Sequence, residues 1–372
     1  MKKKILVCFG TRPEAIKMCS LVHMIKDSNF ECKVCVTAQH REMLDQVLEF
    51  FEISPDFDLN IMKPNQTLNQ LSGNIFLNMD DVFSAYKPDL VLVHGDTTTS
   101  SIVAWSAFNH GIKVGHVEAG LRTFDKHNPF PEELNRQITG RIADFHFAPT
   151  PASELNLLNE NVDEGNIVVT GNTVIDSLFW TEKKLENGFI NDKINDLKNL
   201  IDATKRTILV TSHRRENFGQ GFIDVCHALI DIAKDDSVEI IFPVHLNPNV
   251  RKPVFDLLSN YSNIHLIEPL DYPSFVWLMK QSYIIITDSG GIQEEAPSLG
   301  KPVLVMRETT ERPEAVEAKT VLLLGTDKAK IVNHTRTLLE DKVAYERMAQ
   351  SYNPYGDGNA NEKIIQYLNN NL

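Results

Sequence analysis

The chain has 372 residues, and at roughly 150 residues per domain this length predicts two or three domains. Hydrophobic residues make up 42% of it and charged residues 23%, which is ordinary globular usage and excludes a disordered or collagen-like protein. The 37 basic residues against 50 acidic ones give a net charge of −13, which argues against nucleic-acid or anionic-membrane binding. An anionic substrate can still bind where a few basic side chains converge.

The sequence has none of the patterns of an exported or membrane protein. No apolar run reaches the roughly 18–20 residues of a membrane span, and the apolar stretch near the N-terminus is too short for a signal peptide. The five cysteines are scattered and odd in number, as expected in a reducing compartment. We therefore expect a cytoplasmic protein with no membrane and no nucleic-acid partner.

Short apolar runs alternate with longer amphipathic ones, the pattern of βαβ units around parallel sheets. The runs typical of strands are 5–9, 32–37, 90–94, 114–118, 146–148 and 167–170 in the first half, then 207–212, 238–244, 264–267, 283–287, 302–306 and 321–324. Helical spacing occurs at 13–26, 42–51, 67–86, 132–143 and 359–372. The pattern predicts an α/β protein of two doubly wound, Rossmann-like domains facing a central cleft.

A polar stretch at residues 179–205, rich in Lys, Asn and Asp, marks the break between the two halves and would be either a linker or a surface helix. We predict an N-terminal domain of residues 1–172, completed by a C-terminal helix at 357–372, and a C-terminal domain of residues 173–356. Because ligands bind beyond the C-terminal ends of parallel strands, functional residues should directly follow the predicted strands.

The first such segment is GTRPEAIK, at residues 10–17. Pro13 suits the first turn of a helix, Gly10 permits close backbone approach, and a helix N-terminus attracts phosphate. Arg12 and Lys17 can both reach an anion there, although a capped helix with solvated Arg and Lys would have the same sequence. Neither the G-x-G-x-x-G nor the P-loop pattern occurs in the chain, so we expect no nucleotide cofactor.

Carboxylates are the feature of the next three segments. These are HGDTTT at 94–99, GHVEAGLR at 115–122 and PFPEE at 129–133. Asp96 could merely cap a helix, but a carboxylate such as Glu118 is costly to bury in an apolar run. Together with Glu132 they suggest acid–base catalysis, in which neighbouring carboxylates take different roles.

The second half offers a set of anion-binding candidates. The segments are TSHRRE at 211–216, DSGGIQEE at 288–295 and ETTERPE at 308–314. Ser289, Gly290 and Gly291 open a predicted helix with hydroxyl and backbone N–H groups that suit a diphosphate, although capping alone would explain part of the pattern. His213 and Arg312 would add positive charge. Cys32 and Cys35 match C-x-x-C, but positions three apart in a strand face opposite sides and no second pair follows, so no metal is expected.

In this order, the segments resemble the non-hydrolysing UDP-N-acetylglucosamine 2-epimerases of bacteria. The resemblance runs over essentially the whole chain and includes PVHLNPN at 243–249 and NPYGDG at 353–358. It implies a glycosyltransferase-B-like fold and reversible conversion of UDP-GlcNAc to UDP-ManNAc for surface-polysaccharide precursors. It also implies a homodimer.

Inversion at C2 must remove a proton that no adjacent carbonyl acidifies. Either a nicotinamide cofactor first oxidises a neighbouring carbon, or UDP leaves from C1 as C2 loses its proton. A carboxylate-rich site without a dinucleotide fingerprint favours elimination to a 2-acetamidoglucal and re-addition of UDP, the route that the resemblance also implies. The predicted catalytic residues are Asp96, Glu118, Glu132, His213 and Lys17. Lys17 and Arg12 would bind phosphate, orient the carboxylates, or do both.

The resemblance further implies the residues that bind substrate. They are Arg12, Lys17, Asp96, Glu118, His213, Leu270, Phe275, Ser289, Gly290, Gly291, Glu295 and Arg312. Glu295 would bind the ribose, and Leu270 and Phe275 would lie at the uracil, although Phe275 could equally pack in the core.

Some family members carry a second, activating UDP-GlcNAc site. The matching positions here are Gln39, His40, Arg214 and His245. Glu42 replaces an amide of the regulated members and Asn65 replaces an arginine, and both changes would weaken a second anionic ligand.

Three alternatives remain open at the level of sequence. They are a UDP-GlcNAc-dependent glycosyltransferase, a hydrolysing 2-epimerase that releases free ManNAc, and a nucleotide-sugar sensor without catalysis. A transferase would not need three carboxylates around C2, so the combination of Asp96, Glu118 and Glu132 with His213 favours the non-hydrolysing epimerase.

Overall fold

The computed structural model describes residues 2–38, 41–63, 65–214, 217–310 and 312–372. They form two compact units, one of Met1–Trp180 with Tyr355–Leu372 and the other of Thr181–Pro354. Each unit is a parallel sheet with helices between successive strands, so the predicted class of two doubly wound α/β domains is confirmed. Within the described ranges, no helix is both long and apolar enough to cross a membrane.

The first unit contains a seven-stranded sheet in the order β3-β2-β1-β4-β5-β6-β7. Its elements are β1 (Lys4–Phe9), α1 (Arg12–Lys26), β2 (Glu31–Val36), α2 (Arg41–Phe50), β3 (Phe57–Asp58), α3 (Leu68–Tyr86), β4 (Leu90–His94), α4 (Thr98–Asn109), β5 (Lys113–Val117), α5 (Glu132–Ile142), β6 (Phe145–Ala148), α6 (Pro151–Asn159), β7 (Ile167–Val169) and α7 (Thr173–Glu186). The edge strand β3 was not predicted, because two residues are too few to form a recognisable apolar run.

The second unit contains a six-stranded sheet in the order β10-β9-β8-β11-β12-β13. Its elements are α8 (Asp192–Leu200), β8 (Arg206–Thr211), α9 (Gln220–Ile232), β9 (Val238–Pro243), α10 (Pro248–Leu258), β10 (Ile264–Ile267), α11 (Tyr272–Gln281), β11 (Ile284–Thr287), α12 (Gly290–Glu295), β12 (Val303–Val305), α13 (Pro313–Glu317), β13 (Val321–Leu323), α14 (Lys328–Glu340) and α15 (Lys342–Ala349). Central strands such as β11 are fully buried, because helices cover both faces of a parallel sheet. This burial explains their continuous apolar sequences.

The boundary between the units differs from the prediction. The first division falls after residue 180 and not after residue 172, and the second falls after residue 354 and not after residue 356. The first turns of α7 belong to the first unit, where Ser177 Oγ lies 2.7 Å from Ser20 Oγ of α1. The polar stretch at 179–205 is mostly helical, in α7 and α8, so of the two interpretations the surface helix is correct.

The C-terminal helix α16 (Ala360–Asn371) packs against α1. The carboxylate of Asp176 on α7 accepts hydrogen bonds from the backbone N–H groups of Ala360 (3.2 Å) and Asn361 (2.9 Å). These are N–H groups of the first turn, which have no acceptor within the helix. Asp176 therefore caps α16 from a distant part of the chain and attaches it to the first unit.

Candidate active site

The predicted catalytic residues of the first unit lie at the C-terminal ends of neighbouring strands. Lys17 is on α1, which follows β1, and Glu118 directly follows β5. The Lys17 ammonium contacts Oε2 of Glu118, and Asn172 Nδ2 donates to the same oxygen at 2.7 Å. The structure thus brings two predicted residues together and adds Asn172, which sequence reasoning missed although it follows β7. His94 Nε2 lies 3.8 Å from this oxygen.

The loop that carries Glu118 has a constrained backbone. Glu118 itself has φ of 64°, in the left-handed region that residues with a side chain rarely adopt. Gly120 has φ of 88°, and a Cβ there would lie 2.2 Å from the carbonyl oxygen of Ser153 on α6. Asn156 Nδ2 of α6 donates to the Gly120 carbonyl at 2.9 Å. Helix α6 therefore packs closely against this loop and fixes the position of the Glu118 carboxylate.

Asp96 follows β4 and is held by a second cation. Its Oδ2 contacts Nη2 of Arg136 on α5, and its backbone carbonyl accepts from Asn135 Nδ2 at 3.0 Å. The alternative role of Asp96 as the cap of α4 is wrong, because Thr97 is the N-cap and accepts from Ser100 N at 3.0 Å. Sequence reasoning missed Arg136, which comes 40 residues after its partner.

The two adjacent glutamates at the start of α5 have different environments. Glu133 is fully buried and accepts hydrogen bonds from the backbone N–H groups of Thr123 (3.0 Å) and Phe124 (3.1 Å) and from Nη1 of Arg136 (3.3 Å). Glu132, the predicted catalytic residue, is half-buried, and its carboxylate makes no hydrogen bond or ion pair with any residue that the structure describes. Glu133 is thus a structural group, whereas Glu132 is available for chemistry.

Three buried histidines lie in the sheet of the first unit. His94, His116 and His146 lie on neighbouring strands β4, β5 and β6, and burial lowers their pKa values to about 4, 3 and 4. The Nε2 of His116 lies 2.7 Å from the Gly95 carbonyl and donates to it, because a carbonyl can only accept. These rings are neutral at physiological pH and add no positive charge to the site.

In the second unit, Asp288 organises the segment that carries His213. Its buried carboxylate, at the end of β11, accepts from Ser212 Oγ (2.8 Å), from the backbone N–H groups of His213 and Arg214 (2.9 Å each), and from Asn217 Nδ2 (3.1 Å). Burial alone would raise the pKa of Asp288, but the hydrogen bonds and charge of His213 and the N–H of Arg214 hold it below its usual value. Sequence reasoning did not assign this role to Asp288.

The same carboxylate orients the His213 ring. Nδ1 of His213 lies 3.1 Å from Oδ1 of Asp288, and 43% of the histidine side chain is exposed. A ring whose Nδ1–H is directed at a carboxylate has Nε2 available for a ligand.

The predicted diphosphate segment lies at the start of α12, after β11. Ser289 is the N-cap residue and Gly290 the first helical residue. A Cβ on Gly290 would lie 3.8 Å from Nη2 of Arg214 and 3.9 Å from Cζ of Arg312, so two guanidinium groups flank a position without a side chain. Arg312 also contacts the Glu294 carboxylate through Nε. Backbone N–H groups beside two arginines form a fitting cradle for an anion.

The remaining predicted nucleotide residues lie on the adjoining elements. Glu295 ends α12 and accepts a hydrogen bond from Tyr272 OH at 2.9 Å. Phe275 on α11 is only half-buried, and Leu270, in the loop after β10, lines a cleft of about 380 Å³ together with Leu197 and Ile267.

Of the predicted second-site residues, Gln39 and His40 lie outside the described residues. The His245 ring is stacked on that of His213, with 6.0 Å between ring centroids. Burial and the neighbouring charge of His213 lower the pKa of His245, although Asp288 opposes this. Arg214 lies beside Gly290. The described members are therefore adjacent to the predicted diphosphate segment.

The fold and the strand ends define an α/β protein of two Rossmann-like units, one with acid–base side chains and the other with an anion-binding segment. Over residues 23–369 the sequence matches the family described as UDP-N-acetylglucosamine 2-epimerase. The UDP-N-acetylglucosamine 2-epimerase of Escherichia coli K12 is 55% identical over 371 residues, which cover 99% of each chain. That of Yersinia pestis is 56% identical over 370 residues, with 99% of this chain and 98% of the relative covered.

Among solved structures, the UDP-GlcNAc 2-epimerase from Neisseria meningitidis bound to UDP-GlcNAc superposes with a TM-score of 0.91. It is 51% identical, and the match covers 99% of this chain and 100% of that one. The chain belongs to the UDP-N-acetylglucosamine 2-epimerase family and is an enzyme of that family.

Proposed function

We propose that this enzyme inverts C2 of UDP-GlcNAc to give UDP-ManNAc, reversibly and without hydrolysis. The observation that carries the proposal is the pair of carboxylates at the ends of neighbouring strands, Asp96 held by Arg136 and Glu118 held by Lys17. The N. meningitidis relative is bound to UDP-GlcNAc, which supports this substrate. The family relationship at more than half identity supports the reaction.

The reaction proceeds by elimination and re-addition. A carboxylate takes the C2 proton while the C1–O bond breaks, so that 2-acetamidoglucal and UDP are formed. Protonation of C2 on the opposite face and return of the UDP oxygen to C1 give UDP-ManNAc, with all atoms conserved. Asp96, Glu118 and Glu132 carry the proton transfers, and Lys17 holds Glu118 in place.

The second unit binds the UDP group. Ser289, Gly290 and Gly291 hold the diphosphate with Arg312, and Glu295 holds the ribose. Leu270 and Phe275 lie at the uracil. His213 donates to the departing diphosphate through Nε2 when both ring nitrogens carry a proton, since Nδ1–H is directed at Asp288.

Proton NMR with UDP-GlcNAc in D₂O, without NAD or metal, tests the reaction. We expect UDP-ManNAc with deuterium at C2 and an intact bond to UDP at equilibrium. Free ManNAc with UDP would instead identify a hydrolysing enzyme. Unchanged substrate would favour a transferase or a sensor, and a panel of sugar acceptors would separate those two.

The three carboxylates are tested by Asp96→Asn, Glu118→Gln and Glu132→Gln. Each should lower kcat by roughly 10²- to 10⁴-fold, as expected for loss of a general acid or base, while the Kd for UDP changes little. The exposed Glu49 on α2 provides a control, and Glu49→Gln should leave kcat unchanged.

The enzyme is also proposed to be a homodimer in the cytoplasm. Helices α3 and α4 pack together, and each exposes large apolar side chains, namely Leu77 (72%), Trp105 (45%) and Phe108 (64%). Exposed aromatic and apolar side chains are enriched at protein interfaces. Light scattering should give the mass of a dimer for the wild type and of a monomer for Phe108→Glu. A monomeric wild type would contradict the proposal.

We propose that the product is a precursor for surface-polysaccharide synthesis, since UDP-ManNAc is an activated sugar. Activation by a second UDP-GlcNAc is expected to be weak, because Glu42 and Asn65 replace an amide and an arginine. The rate of UDP-ManNAc conversion should therefore change little when a trace of UDP-GlcNAc is added.

A further inference from the structure

A buried carboxylate that the reaction scheme does not use lies between two of the strand ends. Glu14 on α1 is 2% exposed. Its Oε2 accepts from the backbone N–H groups of Gly10 (3.0 Å) and Thr11 (2.8 Å) and from Thr11 Oγ1 (2.8 Å). Its Oε1 accepts from Thr97 Oγ1 at 2.7 Å. Both oxygens are thus used, one toward the loop after β1 and the other toward the loop after β4.

Helix capping explains only half of this arrangement. Thr11 and Glu14 form a capping box, in which the N-cap hydroxyl and the N3 side chain satisfy each other's backbone N–H groups. Thr67 and Gln70 form the same box at α3, where the residues are exposed and an amide serves as well as a carboxylate. Capping therefore requires neither the burial of Glu14 nor its contact with Thr97.

Burial makes this carboxylate costly. Desolvation raises the pKa of Glu14 to about 7, although the hydrogen bonds from Thr97, Thr11 and Gly10 oppose that shift. A group retained at such a cost has a role beyond the first turn of α1.

The two loops that Glu14 joins carry reactive groups. The loop after β1 leads directly into Arg12 and, one turn later, Lys17, while Thr97 follows Asp96 without a break. Strands β1 and β4 are neighbours in the sheet, so the bridge spans adjacent strand ends.

We propose that Glu14 is a positioning residue, which through its bond to Thr97 keeps the Lys17-bearing helix and Asp96 in register for catalysis. The proposal rests on the epimerase activity proposed above. Its physical basis is that small displacements of catalytic groups cost rate, and a loss of about tenfold or more is expected when the bridge is broken.

The test is a double-mutant cycle of Glu14→Gln and Thr97→Val on the full chain. The amide can keep the capping box, as Gln70 does, but its Nε2 can only donate. The Thr97 hydroxyl would lose its acceptor, and its oxygen, which already accepts from Ser100 N, would have to accept a second hydrogen bond. Each single variant should lower kcat by about tenfold with little change in KM or in the Kd for UDP, and the double variant should be no slower than the slower single one. Thr97→Ser keeps the hydroxyl and should keep near wild-type kcat.

Two controls separate positioning from stability. Asp341→Ala removes the capping carboxylate of α15, which accepts from Val343 N and Ala344 N, and should lower the Tm while kcat is unchanged. Urea unfolding of the same cycle should show that Glu14 and Thr97 are coupled in the folded state.

The proposal is overturned if Glu14→Gln keeps kcat within about twofold of wild type, or if the rate losses of the two single variants multiply. A rate loss that only follows the loss of folded protein would also overturn it. A wild type without turnover would instead contradict the proposed function, and the unfolding cycle would still decide whether Glu14 and Thr97 act as a pair.

Discussion

The ammonium group of Lys17 contacts Oε2 of Glu118, a residue 101 positions later in the chain. Both side chains are largely buried, and Asn172 donates to the same carboxylate oxygen. A buried carboxylate needs a charge and hydrogen-bond donors to remain in place. Lys17 therefore holds Glu118 in this unit, which is one of the two roles that the sequence left open for it.

Removal of the lysine charge should impair catalysis more than nucleotide binding. Lys17→Met would leave Glu118 buried without its cation, and we expect kcat to fall by about 10²-fold or more. Steady-state kinetics and calorimetry with UDP measure the two effects separately. Lys17→Arg keeps a positive charge and should retain more activity, whereas a Lys17→Met enzyme with wild-type kcat would exclude this role.

The Arg136 guanidinium should be needed both for stability and for turnover. Arg136→Met leaves Asp96 and the fully buried Glu133 without their shared partner, so we expect a loss of about 3 kcal/mol in the free energy of unfolding. kcat should also fall by about 10²-fold, because Asp96 loses the group that orients it. Urea unfolding and initial rates test both.

A surface ion pair provides the control for Arg136. Arg251 pairs with Glu268 on an exposed face of the second unit, and exposed pairs contribute little. Arg251→Met should leave both the free energy of unfolding and kcat unchanged. Equal losses of stability and kcat in Arg136→Met and Arg251→Met would contradict the role assigned to Arg136.

Asp288→Asn should loosen the His213 segment. The amide nitrogen would face N–H donors now bound by the carboxylate, so we expect about 2 kcal/mol of destabilisation and weaker UDP binding. Urea unfolding and calorimetry measure these changes. Asp235, which bonds Ser237 in an exposed turn, is the matched control, and Asp235→Asn should keep wild-type affinity. Unchanged UDP affinity in Asp288→Asn would refute the orienting role.

His116 should make the first unit sensitive to acid. Burial lowers its pKa from 6.5 to about 3, so the unfolded chain binds a proton first as the pH falls. Its contribution to stability is therefore fully present above pH 6.5 and is lost progressively toward pH 3. Between pH 7.5 and 5.5, the free energy of unfolding should fall by about 1 kcal/mol on account of this residue.

The variant His116→Asn should reduce that pH-dependent loss, whatever its effect at pH 7.5. Urea unfolding at both pH values gives the difference directly. The exposed His334 on α14 is the control, and His334→Asn should leave the difference unchanged. The raised pKa of Glu14 acts in the opposite direction, since its contribution is lost as the pH rises through about 7. If the free energy of unfolding of His116→Asn fell between pH 7.5 and 5.5 by as much as that of the wild type, His116 would not be the source of this loss.

The order of strands and helices was predictable, because it depends on local patterns. Apolar runs such as 284–287 are buried on both faces of a parallel sheet and keep the signature of that burial in their composition. The same pattern placed Asp96 and Glu118 after strands β4 and β5. The errors were local too: β3 was too short to recognise, and the boundary after residue 172 ignored the packing of the first turns of α7.

The partners of these groups were not predictable. Arg136 comes 40 residues after Asp96, Asn172 comes 54 residues after Glu118, and Glu14 comes 83 residues before Thr97. Nothing in the residue types of one segment specifies which distant side chain will face it, because that depends on how neighbouring strand ends converge in the sheet.

By itself the sequence determined the α/β class, the strand ends that carry chemistry and the family to which the chain belongs. These properties depend on short segments, and the composition and spacing of each segment can be interpreted without knowing the rest of the fold. Only the tertiary structure decided that Glu133 and not Glu132 is a buried structural carboxylate, and that Glu118 is paired with Lys17. Burial and ion pairing depend on what surrounds a side chain in space, and those surroundings come from elements far apart in the chain.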